Sequence, residues 1–428
     1  MTQPLWQKST TSINKKMMDF MAGEDVILDR ELIQYDIQAS SAHVKGLASI
    51  KLITNEESLQ LISELSKLSK AFDDGDFILD SRFEDCHSAI EYWLVEKLGE
   101  LGKKVHTGRS RNDQILVATR LYLKESVNQV IQLCKESAEV CLNKAELGKE
   151  QPMPGYTHLQ QAVPSSVGMW FAGFAESLVD NLISLEACLK LIDCNPLGTA
   201  AAGYGVNLPL DRELTTQELN FARIQLNPIY AQNSRGKFEL AVLNAMSLCL
   251  LDVRRYCWDI SIFTTQEFSM VNLPSEMMTG SSIMPNKTNP DLVELMRASY
   301  AVVQSATIEL QSLLSLPSGY QRDLQLTKGA LLRGVKKSID TLSLFPALIK
   351  GTQFIKKSCE SKITAPMYAT DLAIELSQQN IPFRTAYQQV ANSYDELENR
   401  TPLDSINARV SIGACRELRL DKIRQRLK

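Results

Sequence analysis

Apolar side chains return every three or four positions through much of the chain. Leu292, Leu295, Met296, Ser299, Val303, Ala306, Leu310, Leu313 and Leu314 follow this rule, the period of an amphipathic α-helix. Helix breakers are missing over long distances. Neither Gly nor Pro occurs between Gly108 and Gly148, between Gly236 and Pro274, or between Pro290 and Pro317. At about 1.5 Å of rise per residue, the first two windows admit helices of roughly 50 Å each. Segments 165–193 and 324–350 predict two more, with a few glycines inside. Residues 240–251 carry no charge on any face; such a helix belongs at the centre of a bundle larger than one chain supplies. Shorter helices are expected on either side. Ser81-Arg82-Phe83-Glu84 reads as a capping box opening a helix through Leu98, and 370–379, 383–398 and a basic terminal stretch follow Pro366. The pattern predicts an all-α protein of three domains, 1–108, 109–363 and 364–428, with five long helices in the middle one. No internal repeat or low-complexity tract interrupts it.

Composition narrows the picture. The chain has 428 residues, 44% of them hydrophobic, which supports a large core and excludes disorder as the main state. Against 50 Asp+Glu stand 46 Lys+Arg, a net charge of -4, so there is no basic surplus for nucleic acid or an anionic membrane. With 20 Gly, 15 Pro and 7% aromatics, a turn-rich β fold is disfavoured. The nine cysteines form no C-x-x-C pair. Cys134/Cys141 and Cys249/Cys257 have same-face helical spacing, which reads as core packing in a reducing, cytoplasmic compartment. Met1 to Asp19 has no apolar signal core. The charge-free stretch 151–175 is broken by Pro152, Pro154, Pro164 and glutamines, so it is not expected to span a membrane. A soluble protein is expected.

Four breaks between helices are rich in polar groups that packing does not require. The first, Thr107-Gly-Arg-Ser-Arg-Asn-Asp-Gln114, opens a long helix. Arg109 and Arg111 offer forks suited to carboxylates, and the helix start adds free N–H groups. The same residues also read as a plain N-cap, by Asn112 or Asp113, with salt-bridged arginines. The second, Pro154-Gly-Tyr-Thr-His-Leu-Gln160, holds one of only four histidines, His158, beside the Thr157 hydroxyl in a proton-transfer setting. The third, Thr279 to Pro290, has the composition of a mobile lid and sets Ser281 near Lys287 and Asn289. The fourth, Tyr320 to Lys328, supplies Tyr320, Gln325 and Lys328. Signatures for zinc, a P-loop and a nucleophile elbow are absent. Gly198, Gly203 and Gly205 follow no expected strand, which rejects a dinucleotide fold.

Gly280-Ser-Ser-Ile-Met-Pro-Asn-Lys-Thr-Asn-Pro290 resembles the signature of the fumarase/aspartase superfamily of β-eliminating lyases. Gly108 to Gln114, Pro154 to Gln160, Asn195-Pro-Leu-Gly198, Tyr320 to Lys328, Asp36-Ile-Gln-Ala-Ser40 and Ala369-Thr-Asp-Leu-Ala373 resemble the argininosuccinate lyase family within it. The resemblance implies a central five-helix bundle that forms a twenty-helix core in a homotetramer, with each active site built from three chains. It implies the splitting of argininosuccinate into arginine and fumarate, in arginine biosynthesis, without metal or organic cofactor. By motif position, Ser281 would be the base, and Lys287 and Asn289 would stabilise the carbanion-like intermediate. His158 would be the general acid or its electrostatic partner, oriented by Glu294. Ser40, Asn112, Thr157, Tyr320, Gln325 and Lys328 match family substrate contacts; His87, Arg109 and Arg111 match positions near the site. Two other readings stay open: another fumarate-releasing lyase, of adenylosuccinate or aspartase type, and a non-catalytic structural paralogue. The chain departs from the family at Leu5-Trp-Gln-Lys-Ser9, at Thr288 after the loop lysine, and in a short C-terminal domain.

Overall fold

The computed structural model describes residues 15–200, 203–391, 397 and 399–427. The departure at residues 5–9 and part of the helix expected at 383–398 lie outside them. Five long helices are present: Arg111–Gly148, Val167–Ile192, Lys237–Phe263, Asp291–Leu313 and Thr327–Gly351. The last accommodates Pro346 in its interior. The chain divides into two compact units, one of Met1–Gln129, Leu185–Met246 and Val302–Lys337, the other of Val130–Ser184, Ser247–Ala301 and Ser338–Lys428. The divisions fall inside the five long helices.

In the first unit the shorter helices Ile33–Ser49, Asn55–Asp73 and Cys86–Leu98 enclose a core around Ile37, Val44, Leu47, Leu61, Leu65, Ile90 and Leu94. Thr54 caps the second of them in a reciprocal box with Glu57. The third is capped by Asp85 and Ser88, not by Ser81. Arg82 N–H bonds the Asp80 carboxylate and Phe83 N–H bonds the Asp80 carbonyl, so the chain closes a turn there and the helix begins four residues later than expected. Gly236, at φ 83°, joins the helix Pro228–Asn233 to the long helix from Lys237. A Cβ here would meet Leu314 Cδ2 at 2.2 Å, so both conformation and space require glycine. Cys194–Asn195 forms a two-residue parallel strand with Arg223–Ile224, a small exception to the expected absence of a strand before Gly198.

In the second unit Trp170 packs edge-on against Phe171, Phe174 and Phe354 and donates its indole N–H to Asp259 at 2.9 Å. Cys134 and Cys249 are both buried, with sulfurs 3.8 Å apart; both cysteine pairs read as core are in the core. The helix from Lys237 stops at Phe263 although no Gly or Pro ends it. Thr264 and Thr265 hydroxyls bond back to the Ile260 and Ile262 carbonyls, and Ser269 turns into the left-handed region at φ 47°, so side-chain competition ends what composition alone would extend. The break before the next helix therefore covers 264–290 and is longer than expected. The charge-free 151–175 stretch is part hairpin: Pro152–Thr157 pairs antiparallel with Gln160–Ser166. Pro154 faces Pro164, which places two residues without N–H groups opposite each other. The C-terminal helices Ala369–Gln378 and Phe383–Ala391 pack around Ala373, Ala386 and Val390, and Pro402–Ala408, not expected from sequence, starts at a Thr401 cap. Among the described residues no helix is long and apolar enough to cross a membrane.

Candidate active site

A cavity of the first unit, about 240 Å³, is lined mainly by charged and polar groups. His87, Arg111, Asn112, Tyr320, Gln325 and Lys328, six of the expected binding residues, are in its wall. The start of the Arg111–Gly148 helix places two of them. Its cap is Ser110, whose hydroxyl accepts from Asn112 N–H at 3.3 Å and whose own N–H bonds the Asp113 carboxylate at 3.0 Å. Neither Asn112 nor Asp113 is the cap. Asp113 is fully buried and accepts from the Gly198 and Ala200 N–H groups, both at 3.1 Å, which ties the glycine-rich turn to the helix. Burial pushes its carboxyl above the ordinary range.

Arg111 reaches Glu84 at 2.9 Å and Asp85 at 3.4 Å. Lys328, 6% exposed, lies 2.5 Å from Asp29 and 3.1 Å from Asp25. Burial would depress its pKa, but the two carboxylates reverse this and hold the ammonium above its ordinary value. His87 Nδ1 is 2.6 Å from the fully buried Asp36. Burial opposes the imidazolium; the Asp36 carboxylate overrides it and raises the ring pKa. The complementary effect depresses Asp36 despite burial. Asp36, Cys86 and His87 lie close enough to be considered as metal ligands. The Arg109 guanidinium 3.6 Å from Asp36 opposes a dication there, so the cluster reads as an acid–imidazole pair.

Ser40 and Arg109 lie behind this wall. Ser40 is fully buried and its hydroxyl accepts from Arg109 Nη1 at 2.7 Å. Asp25, Asp29, Glu84, Asp85, Arg235 and Arg322 also line the cavity and were not singled out from sequence as site residues. Glu84 ends the Ser81–Glu84 stretch and Arg322 lies within the Tyr320 to Lys328 segment. Asp25, Asp29, Asp85 and Arg235 offer only isolated charges near helix ends, a signal shared by most surfaces.

The remaining expected residues belong to the second unit. Thr157 and His158 are exposed at the tip of the 152–166 hairpin. His158 and Leu159 both adopt left-handed backbone, φ 55° and 58°, as a two-residue turn of this kind demands. Neither is Gly, Asn or Asp, so the tip is strained, a feature concentrated at functional positions. Thr279–Gly280 pairs with Thr288–Asn289, which makes the lid segment a second, minimal hairpin. At its tip Ser281 accepts from Met284 N–H at 3.0 Å, and Lys287 is exposed while Asn289 is half-buried. Glu294, in the first turn of the helix that follows, stands 3.5 Å from Arg297.

Long helices carry a polar cavity in the first unit and two polar hairpin tips in the second. A family model described as lyase matches residues 10–305, and an EDDS lyase variant with bound fumarate shares the fold at a TM-score of 0.79, with 20% identity over 98% of this chain and 90% of that one. Argininosuccinate lyase from Xanthomonas campestris pv. campestris (strain B100) is 53% identical over 427 residues, 100% of this chain and 99% of the relative. The same enzyme from Stenotrophomonas maltophilia (strain R551-3) is 52% identical over 427 residues, again 100% and 99%. The chain belongs to the argininosuccinate lyase family.

Proposed function

We propose that this chain catalyses the reversible β-elimination of argininosuccinate to arginine and fumarate, in the cytoplasm and in arginine biosynthesis, as a homotetramer. Full-length identity to argininosuccinate lyases carries this reading. The cavity chemistry supports it: the lining mixes carboxylates with cations, as a substrate with a guanidinium, an ammonium and three carboxylates requires.

The reaction removes a weakly acidic proton next to a carboxylate, and the guanidino nitrogen then departs with the C–N electrons. Charge accumulates on the carboxylate as the C–H bond breaks, so fixed cations and N–H donors supply most of the stabilisation. Ser281 takes the proton, Lys287 and Asn289 stabilise the doubly charged intermediate, and His158, oriented by Glu294, returns a proton to the leaving nitrogen. His87, Arg111, Asn112, Tyr320, Gln325 and Lys328 bind substrate from the cavity wall, Thr157 does so from the hairpin tip, and Ser40 and Arg109 brace that wall from behind. Each site combines these groups from three copies of the chain. Thr279 to Pro290 has the small polar residues of a segment that closes over substrate.

The test is ultraviolet absorbance of fumarate released from argininosuccinate by purified protein, beside a panel of adenylosuccinate, aspartate and malate. Release from argininosuccinate alone is expected. Release from another member of the panel would reassign the substrate, and none from any would make the chain a non-catalytic paralogue.

A further inference from the structure

The hairpin that carries His158 is held differently at its two ends. At the base, Pro152, Met153 and Pro154 pair with Ser166, Ser165 and Pro164, and most of these residues are buried. Toward the tip, Tyr156 pairs with Gln161 and Thr157 with Gln160. Between the two stretches the register shifts, with Gly155 opposite Ala162 and Val163, so a bulge interrupts the ladder. A Cβ at Gly155 would lie 2.7 Å from the Val163 carbonyl oxygen, which reserves this position for glycine. The pairing that fixes the base therefore does not by itself fix the direction of the tip.

Side chains on either strand supply an outside anchor. Gln161 uses both ends of its amide on one turn of chain: Nε2 donates to the Lys362 carbonyl at 2.8 Å, and Oε1 accepts from the Thr364 hydroxyl at 3.0 Å. That turn joins the helix Lys356–Ser361 to the 3-10 helix Ala365–Tyr368. Across the hairpin, Tyr156 packs edge-on against Phe268 with ring centroids 5.6 Å apart. Lys362 Nζ donates to the Glu267 carbonyl at 2.9 Å, so the hairpin, 362–364 and 267–268 form a closed ring of contacts. Gln161 and Thr364 are both exposed. Neutral hydrogen bonds made in water add little to stability, so the clamp is not explained by what it gives the fold.

We propose that Gln161 is a positioning residue: with Thr364 it fixes the direction of the hairpin tip and so the place of the His158 imidazole. This rests on the proton-transfer role given to His158 above. Proton transfer requires the two heavy atoms to stand about 2.6–3.2 Å apart, and a misplacement of about 1 Å costs about 100-fold in rate. Two hydrogen bonds from one planar amide resist both displacement and rotation of the strand that leads out of the tip; a single bond would leave rotation free.

The experiment follows argininosuccinate turnover, melting temperature and backbone amide exchange in the full-length enzyme for wild type, Gln161→Ala, Thr364→Val and the double variant. Each single variant should lower kcat by roughly 10- to 100-fold, with KM within about two-fold and the melting temperature unchanged. The double variant should lose no more than the larger single one, because both side chains belong to one clamp. Amide exchange over 156–161 should rise in all three. A wild-type kcat, unchanged exchange at the tip, or losses that multiply in the double variant overturn the proposal. So does a fall in melting temperature that accounts for the lost rate, the mark of a merely structural contact. Should one single variant fail to fold, the other is read alone by the same criteria. Faster tip exchange in Gln161→Ala, beside a His158→Asn variant that keeps the wild-type rate, would instead sink the role of His158 and leave the clamp in place.

Discussion

Two lysines show how differently this chain builds its polar regions. Lys328 in the cavity is 6% exposed and is held between Asp25 and Asp29; Lys287 on the hairpin tip is exposed to solvent. The first is fixed by folding. Its partners are set by the fold, the arrangement that makes electrostatic binding cheap at the moment of use. The second sits in water, where a charge at 4 Å is worth only about 1 kcal/mol and its long side chain is free to move. The hairpin tips carry reactive groups but not the dry surroundings that would strengthen them. Groups of this kind become effective when another surface excludes water from them, which is what sites shared among copies of the chain would provide.

The widest separation between the two regions should appear in kinetics. Ser281→Ala removes a hydroxyl that in the free chain only closes a local turn, accepting from the Ile283 and Met284 N–H groups. Its melting temperature should match wild type, and KM should change little, while kcat falls by about 10³-fold or more. Refolding this variant together with inactive His158→Asn should recover part of the activity. Proven mixed oligomers without recovery would end the shared-site account.

Next in size is the lysine pair itself. Lys328→Met leaves two carboxylates without their partner, one of them fully buried, and should cost about 3–5 kcal/mol in urea denaturation. Lys287→Met should leave the denaturation curve in place and lower kcat. Equal stability losses in the two variants would erase the distinction between a prebuilt cavity and a solvated tip.

The same contrast marks what could be read from sequence. The five long helices were legible because breaker-free windows and a 3.6-residue period act locally, along one segment at a time. The chemical segments were legible because polar, breaker-bounded loops stand out against helices. The partners were not. Asp29 and Lys328 are 299 positions apart, and no local pattern links them. Arg235 stands just before a helix whose 240–251 stretch is free of charge, and looks like an ordinary capping charge until the cavity is seen. The 152–166 hairpin was missed because prolines and glutamines mask its alternation, and the stop at Phe263 because threonine hydroxyls, not breakers, end that helix.

A smaller effect separates the regions by pH. His87 has its ring pKa raised above 6.5 by Asp36 against the opposing effect of burial. A group whose folded pKa is raised contributes its stability fully below the unfolded value and loses it as pH rises through the folded one. Wild-type melting temperature should therefore fall on the alkaline side of pH 6.5 more steeply than that of His87→Gln, in scans from about pH 5 to pH 9. Asp36, whose folded pKa is depressed, acts in the opposite sense: its share is present above 3.8 and is lost as acid carries the pH below that. Parallel alkaline slopes in the two proteins would show that the pair does not hold its proton.

The smallest effect lies at the hairpin tip. Leu159 sits at φ 58° and is 72% exposed, so its side chain contributes little packing while its backbone occupies a region that costs an L-residue about 1–2 kcal/mol. Leu159→Gly removes that strain but adds freedom to the unfolded chain, an offset of about 0.4–1 kcal/mol. The net gain should be about 0.5 kcal/mol, read as a small rise in the urea midpoint. Activity should move the other way. A glycine beside His158 lets the tip sample conformations that carry the imidazole away from its working position, so kcat should drop a few-fold while KM holds. A variant that gains stability and keeps full kcat would mean that substrate, rather than the strained turn, sets where His158 points.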